Sequence, residues 1–351
     1  MKKSLIALAA FALIASCKNE SKNVVGTNEN GDQLTVNENG DTVVVDNEEV
    51  AVVAPEEASL QKAEDGSYTF RYNLKKGETY PFSLKVNATQ SISDGTQSEK
   101  ASNSRTTAVD YLVEDVTDNK FKLKATFKSF SEEFTSPQGE KLSYNTNSGK
   151  PADADVAKSW SIYKAITGES FQMEVDNKGK VLNVSGLDKV STSVQSKLKK
   201  DFNADEQKMI ADLLKGTLNS EFIKMQFEET LNIFPDKSMK IGEEWEDSQN
   251  ISEGPIKGTN KVTRTFKSID GNTATITVNG VQNVNGKETQ QDITMSLSNN
   301  ATLTGSIDLD LTSGWIKKVN LTKSETVKQT MEGQGQKQTM TQTSTTKTTV
   351  N

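Results

Sequence analysis

Beyond residue 66, apolar and polar residues alternate along most of the chain. Tyr68, Phe70, Tyr72 and Leu74 are separated by polar side chains, and so are Phe82, Leu84 and Val86. A period of two belongs to a strand with one face buried and the other in water. The same period recurs at 109–113, 121–127, 171–175, 181–184, 262–266, 274–278, 293–297, 301–311 and 315–321. Between these runs lie Asp118-Asn119-Lys120, Asp176 to Gly179, Asp270-Gly271-Asn272 and Thr312 to Gly314. Such residues tolerate the backbone of tight turns, so the spacing predicts antiparallel hairpins. Near the end, Gln338, Met340, Gln342 and Ser344 alternate with Thr339, Thr341, Thr343 and Thr345. Threonine favours the sheet, and the segment 329–349 reads as a final polar strand, with a disordered tail as the alternative.

In the middle of the chain the period changes. Val156, Trp160, Tyr163 and Ile166 have helical spacing after Pro151 and a capping Asp153. From Lys189 to Phe234 the apolar positions include Val194, Leu198, Leu214, Phe222 and Phe227, again near 3.6 residues apart. Asn203 with Glu206 forms a capping box, and Gly216 and Pro235 are expected stops. Two or three helices are therefore expected at about 186–234, between two β-rich halves. Those halves look alike. Gly77-Glu-Thr-Tyr80 corresponds to Gly242-Glu-Glu-Trp245, residues 110–123 to 263–276, and residues 171–182 to 306–317. The fold expected is mainly β (α+β), with two related antiparallel halves forming a curved sheet or half-barrel and a helical insert between them. Residues 66–351 make one domain in this reading.

The N-terminus has a different character. Lys2 and Lys3 precede an apolar run, Leu5 to Ile14, that is too short to cross a bilayer and fits an export signal over 1–16. Leu13-Ile-Ala-Ser-Cys17 resembles the bacterial lipobox, and Cys17 is the only cysteine of the chain. The resemblance implies that Cys17 is acylated, for instance by palmitate, and becomes a membrane anchor. A secreted protein cut after Ala15 or Ser16 is the alternative. Residues 17–65 then form a flexible acidic tether without an aromatic residue. Within it Asn28 to Val36 is repeated by Asn37 to Val45, with Asn-Gly turns suited to small hairpins. A solvated spacer is the simplest account; the period also resembles calcium-binding β-roll nonapeptides, though the paired glycines are lacking. Asp41-Thr42-Val43 resembles a sequon O-glycosylated in some Bacteroidota, which implies a sugar on Thr42. Lys18 and Asn19 do not match the aspartate that retains some enterobacterial lipoproteins at the inner membrane. The outer membrane is therefore the expected address, with its periplasmic or surface face open.

Composition narrows the chemistry. The chain has no histidine, so imidazole-dependent catalytic triads are unavailable, and zinc sites lose their usual ligands. Carboxylate-pair chemistry or a hard cation held by oxygens remains. Asp153/Asp155 and Asp308/Asp310 have the i,i+2 spacing that places two carboxylates on one strand face, but helix capping and solvated strand faces account for them more simply. No metal and no cofactor is expected. With 41 basic and 48 acidic residues the net charge is −7, and no basic cluster with interleaved aromatics occurs. Nucleic acid would be repelled. Hydrophobic content of 33 % is low and points to sheets with one wet face.

The segments Tyr72 to Tyr80, Phe234 to Trp245 and Gly305 to Lys317 resemble a family of Bacteroidota lipoproteins built on a domain of unknown function, covering roughly residues 68–350. That resemblance implies location and carries no catalytic residue. The architecture is also similar to the half-barrel of periplasmic lipoprotein carriers, a likeness that transfers no activity. Trp160, Tyr163, Phe202, Phe222, Phe227 and Phe234 cluster in or beside the helices, where they either line an apolar pocket against the sheet or form ordinary core. Trp245 and Trp315 are expected to plug the end of the sheet. The function expected is that of a non-catalytic outer-membrane lipoprotein binding an apolar or envelope ligand between sheet and helices. A structural or protein-interaction lipoprotein of the envelope is the alternative, and a carboxylate-dependent hydrolase a distant third.

Overall fold

The computed structural model describes residues 24–27, 33–36, 42–44, 58–333 and 335–350. Residues Ser16–Glu57 form one compact unit, within which strands β1 (Val24–Thr27), β2 (Gln33–Val36) and β3 (Thr42–Val44) make a small antiparallel sheet. β2 and β3 come from the two copies of the nine-residue repeat, so the repeat builds a hairpin. Cys17 and the export signal lie outside the described residues. Thr42 opens β3, and its side chain also lies outside them.

The second unit contains everything from Ala58 onward. Two short strands, β4 (Leu60–Lys62) and β5 (Tyr68–Phe70), pair with each other. The first half of the main sheet follows as β6 (Thr79–Ser93), β7 (Ser98–Thr117), β8 (Lys120–Thr135), β9 (Lys141–Asn145), helix α1 (Ala154–Ile166), β10 (Ser170–Asp176) and β11 (Val181–Ser185). Then come α2 (Leu187–Leu198), α3 (Ala204–Thr217) and α4 (Ser220–Leu231). The second half is β12 (Glu244–Glu253), β13 (Ile256–Asp270), β14 (Thr273–Gln290), β15 (Ile293–Asp310), β16 (Ile316–Gly333) and β17 (Gln336–Val350). Of the described residues, strand makes up 58 % and helix 17 %, so a mainly β fold with inserted helices is established.

Twelve strands form one antiparallel sheet in the order β11-β10-β8-β7-β6-β17-β16-β15-β14-β13-β12, with β9 paired to β8. The sheet is not closed, and its path ends on β11 and β12. Its two halves run in the same direction. β6-β7-β8-β10-β11 and β12-β13-β14-β15-β16 occur in the same order, with β17 bridging between β6 and β16. Matching hydrogen bonds support the pairing of Gly77 with Gly242. Gly77 N–H donates to Val113 O (2.9 Å) and Val113 N–H to Glu78 O (3.0 Å); Gly242 N–H donates to Phe266 O (2.7 Å) and Phe266 N–H to Glu243 O (3.0 Å). Val113 and Phe266 are both fully buried. The expected match of 171–182 with 306–317 needs a one-residue correction. Met173 lies opposite Leu123 and Ile307 opposite Ile276, so Met173 corresponds to Ile307, where the sequence match put Asp308. A slip of one residue exchanges the two faces of a strand, and only the pairing reveals it.

The strands are much longer than their apolar runs. β7 spans 20 residues, yet its buried positions are Val109, Tyr111 and Val113. β9 and β12 have no counterpart among the predicted runs. The expected strand through Tyr72 and Leu74 stops at Phe70, and the chain continues as an extended segment. Turn predictions fare well. Asp118 and Asn119 (φ 47° and 61°) form a two-residue loop between β7 and β8, the left-handed geometry that Asp and Asn tolerate. Asp153 caps α1 by accepting from the Asp155 and Val156 amides, and Asn203 and Glu206 make both bonds of the capping box on α3. Gly216 does not stop α3, which runs to Thr217 and closes when the Leu218 amide donates to Leu214 O. A single glycine inside a helix costs only about 1 kcal/mol, and packing of Ile210 and Leu214 outweighs it.

The core lies at one end of the sheet. There α1 packs on β8 and β9, α2 on β10, and α4 on β11. Tyr68 to Asn73 crosses the same end. The Tyr72 amide donates to Asn177 O (2.7 Å), the Asn73 amide to Ser313 O (2.8 Å) and the Tyr72 hydroxyl to Leu231 O (2.7 Å). Lys178 Nζ donates to Phe70 O (2.7 Å) and Pro235 O (2.9 Å), which ties this crossing to the segment after α4. Trp315 plugs this end as expected, against Tyr72, Tyr80, Phe82 and Tyr111, with its indole N–H donating to Pro81 O. Trp245 lies at the other side of the plug against Phe70.

Candidate functional site

Strand register fixes which residues share the inner, helix-bearing face. Ile307, Val319, Val350 and Leu84 lie in one row of directly opposed residues, as Val319 pairs with both Ile307 and Val350, and Val350 with Leu84. Two residues further from the core is the row Arg264, Val278, Gly305, Leu321, Thr348 and Val86. The next contains Asp247, Val262, Gly280, Leu303, Lys323 and Thr346, and the one after it Gln249, Asn260, Gln282, Ala301, Glu325 and Ser344. Along β12, β14 and β15 these inner positions are more shielded than their outward neighbours. The helices pack chiefly on β8 to β11, on the other half of the sheet. Val284 (6 % exposed) and Ala301 (5 %) are buried nonetheless, as a long open sheet that curls into a trough on its inner face would bury them.

Glycines permit this close packing. At Gly258 an added Cβ would stand 2.2 Å from Asn283 O, and at Gly305 (φ 151°) 2.0 Å from Asn320 O. No side chain fits either place. Gly258, Gly280 and Gly305 all occupy inner positions, and glycine at inner positions lets neighbouring strands fold toward each other.

The inner face mixes apolar and polar side chains within its rows. Val262, Leu303, Leu321 and Leu84 are half-buried, with one side on the core cluster. In the same and adjacent rows Arg264 pairs with Asp247, and Lys323 Nζ lies 3.3 Å from Glu325 Oε1. The Arg264 side chain is only 13 % exposed, and the Lys323 and Glu325 side chains 21 % and 20 %. Each cation thus has its carboxylate beside it. Three atoms on this face are shielded from water yet have no partner: Gln249 Oε1, Arg264 Nε and Asn299 Oδ1. A fourth is Glu229 Oε1 on α4, and burial pushes the Glu229 carboxyl up to about 7.

The six aromatic residues picked out in the sequence do not gather round one site. Tyr163 stacks on Tyr144 and packs on Phe130, while the Trp160 indole N–H donates to Asn145 O. Phe227 meets Tyr111 edge to face, and Phe234 packs on Phe70 and Tyr72. Phe202 is buried in the core and Phe222 is half-buried on α4. None of the six lines the cleft of about 530 Å³ between β11, α2 and α3, whose walls include Leu187, Gln195, Ala211 and Leu218. The two aspartate pairs have local roles. Asp310 Oδ1 accepts from the amides of Thr312 and Ser313, and Asp308 accepts from the Thr275 hydroxyl. Among the described residues no group of three or more His, Cys, Asp or Glu side chains is placed to hold a metal ion. Sequence reasoning missed the trough because its strands were ended where the apolar run ended. The signal was present in the phase: Gly258, Gly280, Gly305, Gln249 and Asn260 stand at even spacings from Val262, Val278, Ile307 and Trp245.

A search of the curated proteins gives no match. Among solved structures, lipovitellin, in a study titled for its lipid–protein interactions, is similar at 11 % identity and a TM-score of 0.37 over 79 % of this chain. This chain spans 25 % of lipovitellin's length. Salmonella typhi OmpF in complex with daunomycin is similar at 6 % identity and a TM-score of 0.18, covering 82 % of this chain and 99 % of that one. A mutant Rh. blastica porin follows at 10 % identity and a TM-score of 0.16, with 77 % and 99 % covered. At these scores the likenesses bear on nothing further. Sequence families are more informative: residues 118–316, more than half of the chain, match the model of a family of unknown function (DUF6263), and the chain belongs to that family.

Proposed function

We propose that this protein is a non-catalytic lipoprotein of the bacterial outer membrane, anchored through Cys17, whose trough holds the apolar part of an envelope ligand. One observation carries the reading. Val262, Leu303 and Leu321 line an inner sheet face that is shielded from water but lies away from the strands on which the helices chiefly pack. The apolar surface that these half-buried side chains still expose is stabilised by an apolar guest, at about 25 cal/mol for each Å² removed from water. The lipobox-like Leu13 to Cys17 supports the anchor, the residues resembling Bacteroidota lipoproteins support the source, and Asp41-Thr42-Val43 supports a sugar on Thr42. The envelope itself is then the supply of ligand.

Native mass spectrometry of the protein released from its own membrane in mild detergent tests this. The expected result is an adduct of lipid mass on the wild type, with much lower occupancy in Leu303→Asn, a variant whose circular dichroism should match the parent. A wild type that carries no lipid and takes none from an envelope lipid extract removes the proposal.

A further inference from the structure

An open sheet has edges, and an exposed edge strand invites pairing unless it is short, bulged or covered. Two of the edges here are guarded. β11 is five residues long, its ladder with β10 shifts register between Glu174 and Val175, α4 packs on it, and its Val181 amide donates to Glu228 Oε1 (2.7 Å). β9 is equally short and packs against α1, where Asn145 O accepts from the Trp160 indole. β12 has none of these defences. It runs for ten residues, pairs with β13 without a shift of register, contains neither lysine nor proline, and has no helix packed on it as α4 is on β11.

The ladder shows which groups of β12 are left over. The Phe266 amide donates to Glu243 O, so 243 and 266 are a hydrogen-bonded pair, and every second residue from Trp245 to Glu253 turns its N–H and C=O toward β13. Glu244, Glu246, Ser248, Asn250 and Ser252 therefore aim theirs outward, where no strand among the described residues meets them. Charge selects the partner. Lys261 and Arg264 of β13 stand beside Glu246 and Asp247, so the edge has little net charge with which to recruit a basic strand of another protein. β12 does complement itself. Antiparallel pairing of two β12 strands about Gln249 sets Ser248 opposite Asn250, Glu246 opposite Ser252, Asp247 opposite Ile251 and Trp245 opposite Glu253, so none of its four acidic residues faces another. Moving the axis to Ser248 sets Glu253 opposite Glu243, and moving it to Asn250 sets Asp247 opposite Glu253; like charges directly opposed are destabilising. We infer that two copies of this chain form a two-fold dimer by pairing β12 with β12 in the register centred on Gln249, so that their sheets run on as one.

In that register the two Gln249 residues form a non-hydrogen-bonded pair with Cα atoms about 4.5 Å apart, within the range of a disulfide. Cys17 is the only native cysteine, so the wild type serves as the blank for an introduced one. Full-length Gln249→Cys, mildly oxidised in intact cell envelopes, should run as a covalent dimer on a non-reducing gel. Asn260→Cys, on the same face but one strand further in, should not. Sedimentation of the wild type in density-matched detergent should give twice the monomer mass. Asn250→Pro removes an outward amide and leaves the bonds to β13 in place, so it should keep the parent's circular dichroism and halve the mass. A monomeric wild type, a dimer that Gln249→Cys does not link, equal linking through Asn260→Cys, or a dimer indifferent to Asn250→Pro overturns the inference. The two cysteine variants decide it by themselves if Asn250→Pro does not fold.

Discussion

Glu229 is the residue whose burial most plainly disagrees with its chemistry. One carboxyl oxygen is shielded and unpaired, and desolvation raises its pKa from the usual value to about 7. The sign of the linkage follows. A raised folded-state pKa means that the protonated form is favoured in the fold, so the benefit is fully present below the unfolded value and is lost as pH rises toward 7. Glu229→Gln keeps the shape and removes the charge. Urea unfolding should therefore show the variant more stable than the parent at pH 8, by on the order of 1 kcal/mol after allowance for the water that still reaches the side chain. At pH 4 the two should agree. A gain of equal size at both pH values would mean that ionisation is not its cause. At other positions single residues were readable in advance: Asp153, Asn203, Asp118 and Asn119 perform in the structure the capping and turn roles their types allow. Gly216 was not, because a helix stop depends on what the next turn can bury.

Among the elements, β17 is the polar strand expected, and its place in the sheet is what the sequence did not show. Its Thr, Gln and Lys residues read as a polar terminal strand, yet it pairs with β16 along its whole length and with β6 from Thr341 to Val350. A strand with two neighbours uses its backbone donors on both sides, which proline cannot supply. Thr345 lies opposite Ser324 on one side and Thr89 on the other, with its side chain on the exposed face. Thr345→Pro should cost at least about 3 kcal/mol of unfolding free energy, and Thr345→Val close to nothing. Equal tolerance of both would place β17 at an edge and contradict this topology. The same element shows why strand length escaped the sequence. Apolar alternation reports burial, and the far portions of β6, β7, β15, β16 and β17 bury little; they are ordered by ladder hydrogen bonds to neighbours that no local pattern names. Helices were easier to read, since each of α1 to α4 needs only its own stripe and caps.

For the molecule as a whole, the proposed division of labour gives the membrane to Cys17 and the ligand to the trough. Acyl chains add about 0.8 kcal/mol per buried methylene, and two or more hold a protein stably on a bilayer. Among the described residues no helix is long and apolar enough to cross a membrane. Replacing Cys17 by Ala should move the protein from the membrane pellet to the soluble fraction; a variant that sediments with membranes as firmly as the parent would show that something else anchors it. The order of strands and helices, the antiparallel hairpins, the caps and the likeness of the two halves are written in residue types and periods, because each depends on interactions within a few positions of chain. The tandem order of the halves, the central place of β17, the correct phase of Met173 with Ile307 and the trough did not follow from any such window. They depend on which strands meet across hundreds of residues, and on whether an inner face finds a helix or remains open. The six aromatic residues beside the helices are the instructive case: their spacing is equally consistent with lining a pocket and with filling a core, and packing places Tyr163, Phe227 and Phe234 against neighbouring rings. The inner face of the second half, with its glycines and carboxamides in the same phase as its valines and leucines, lies away from β8 to β11, on which the helices chiefly pack.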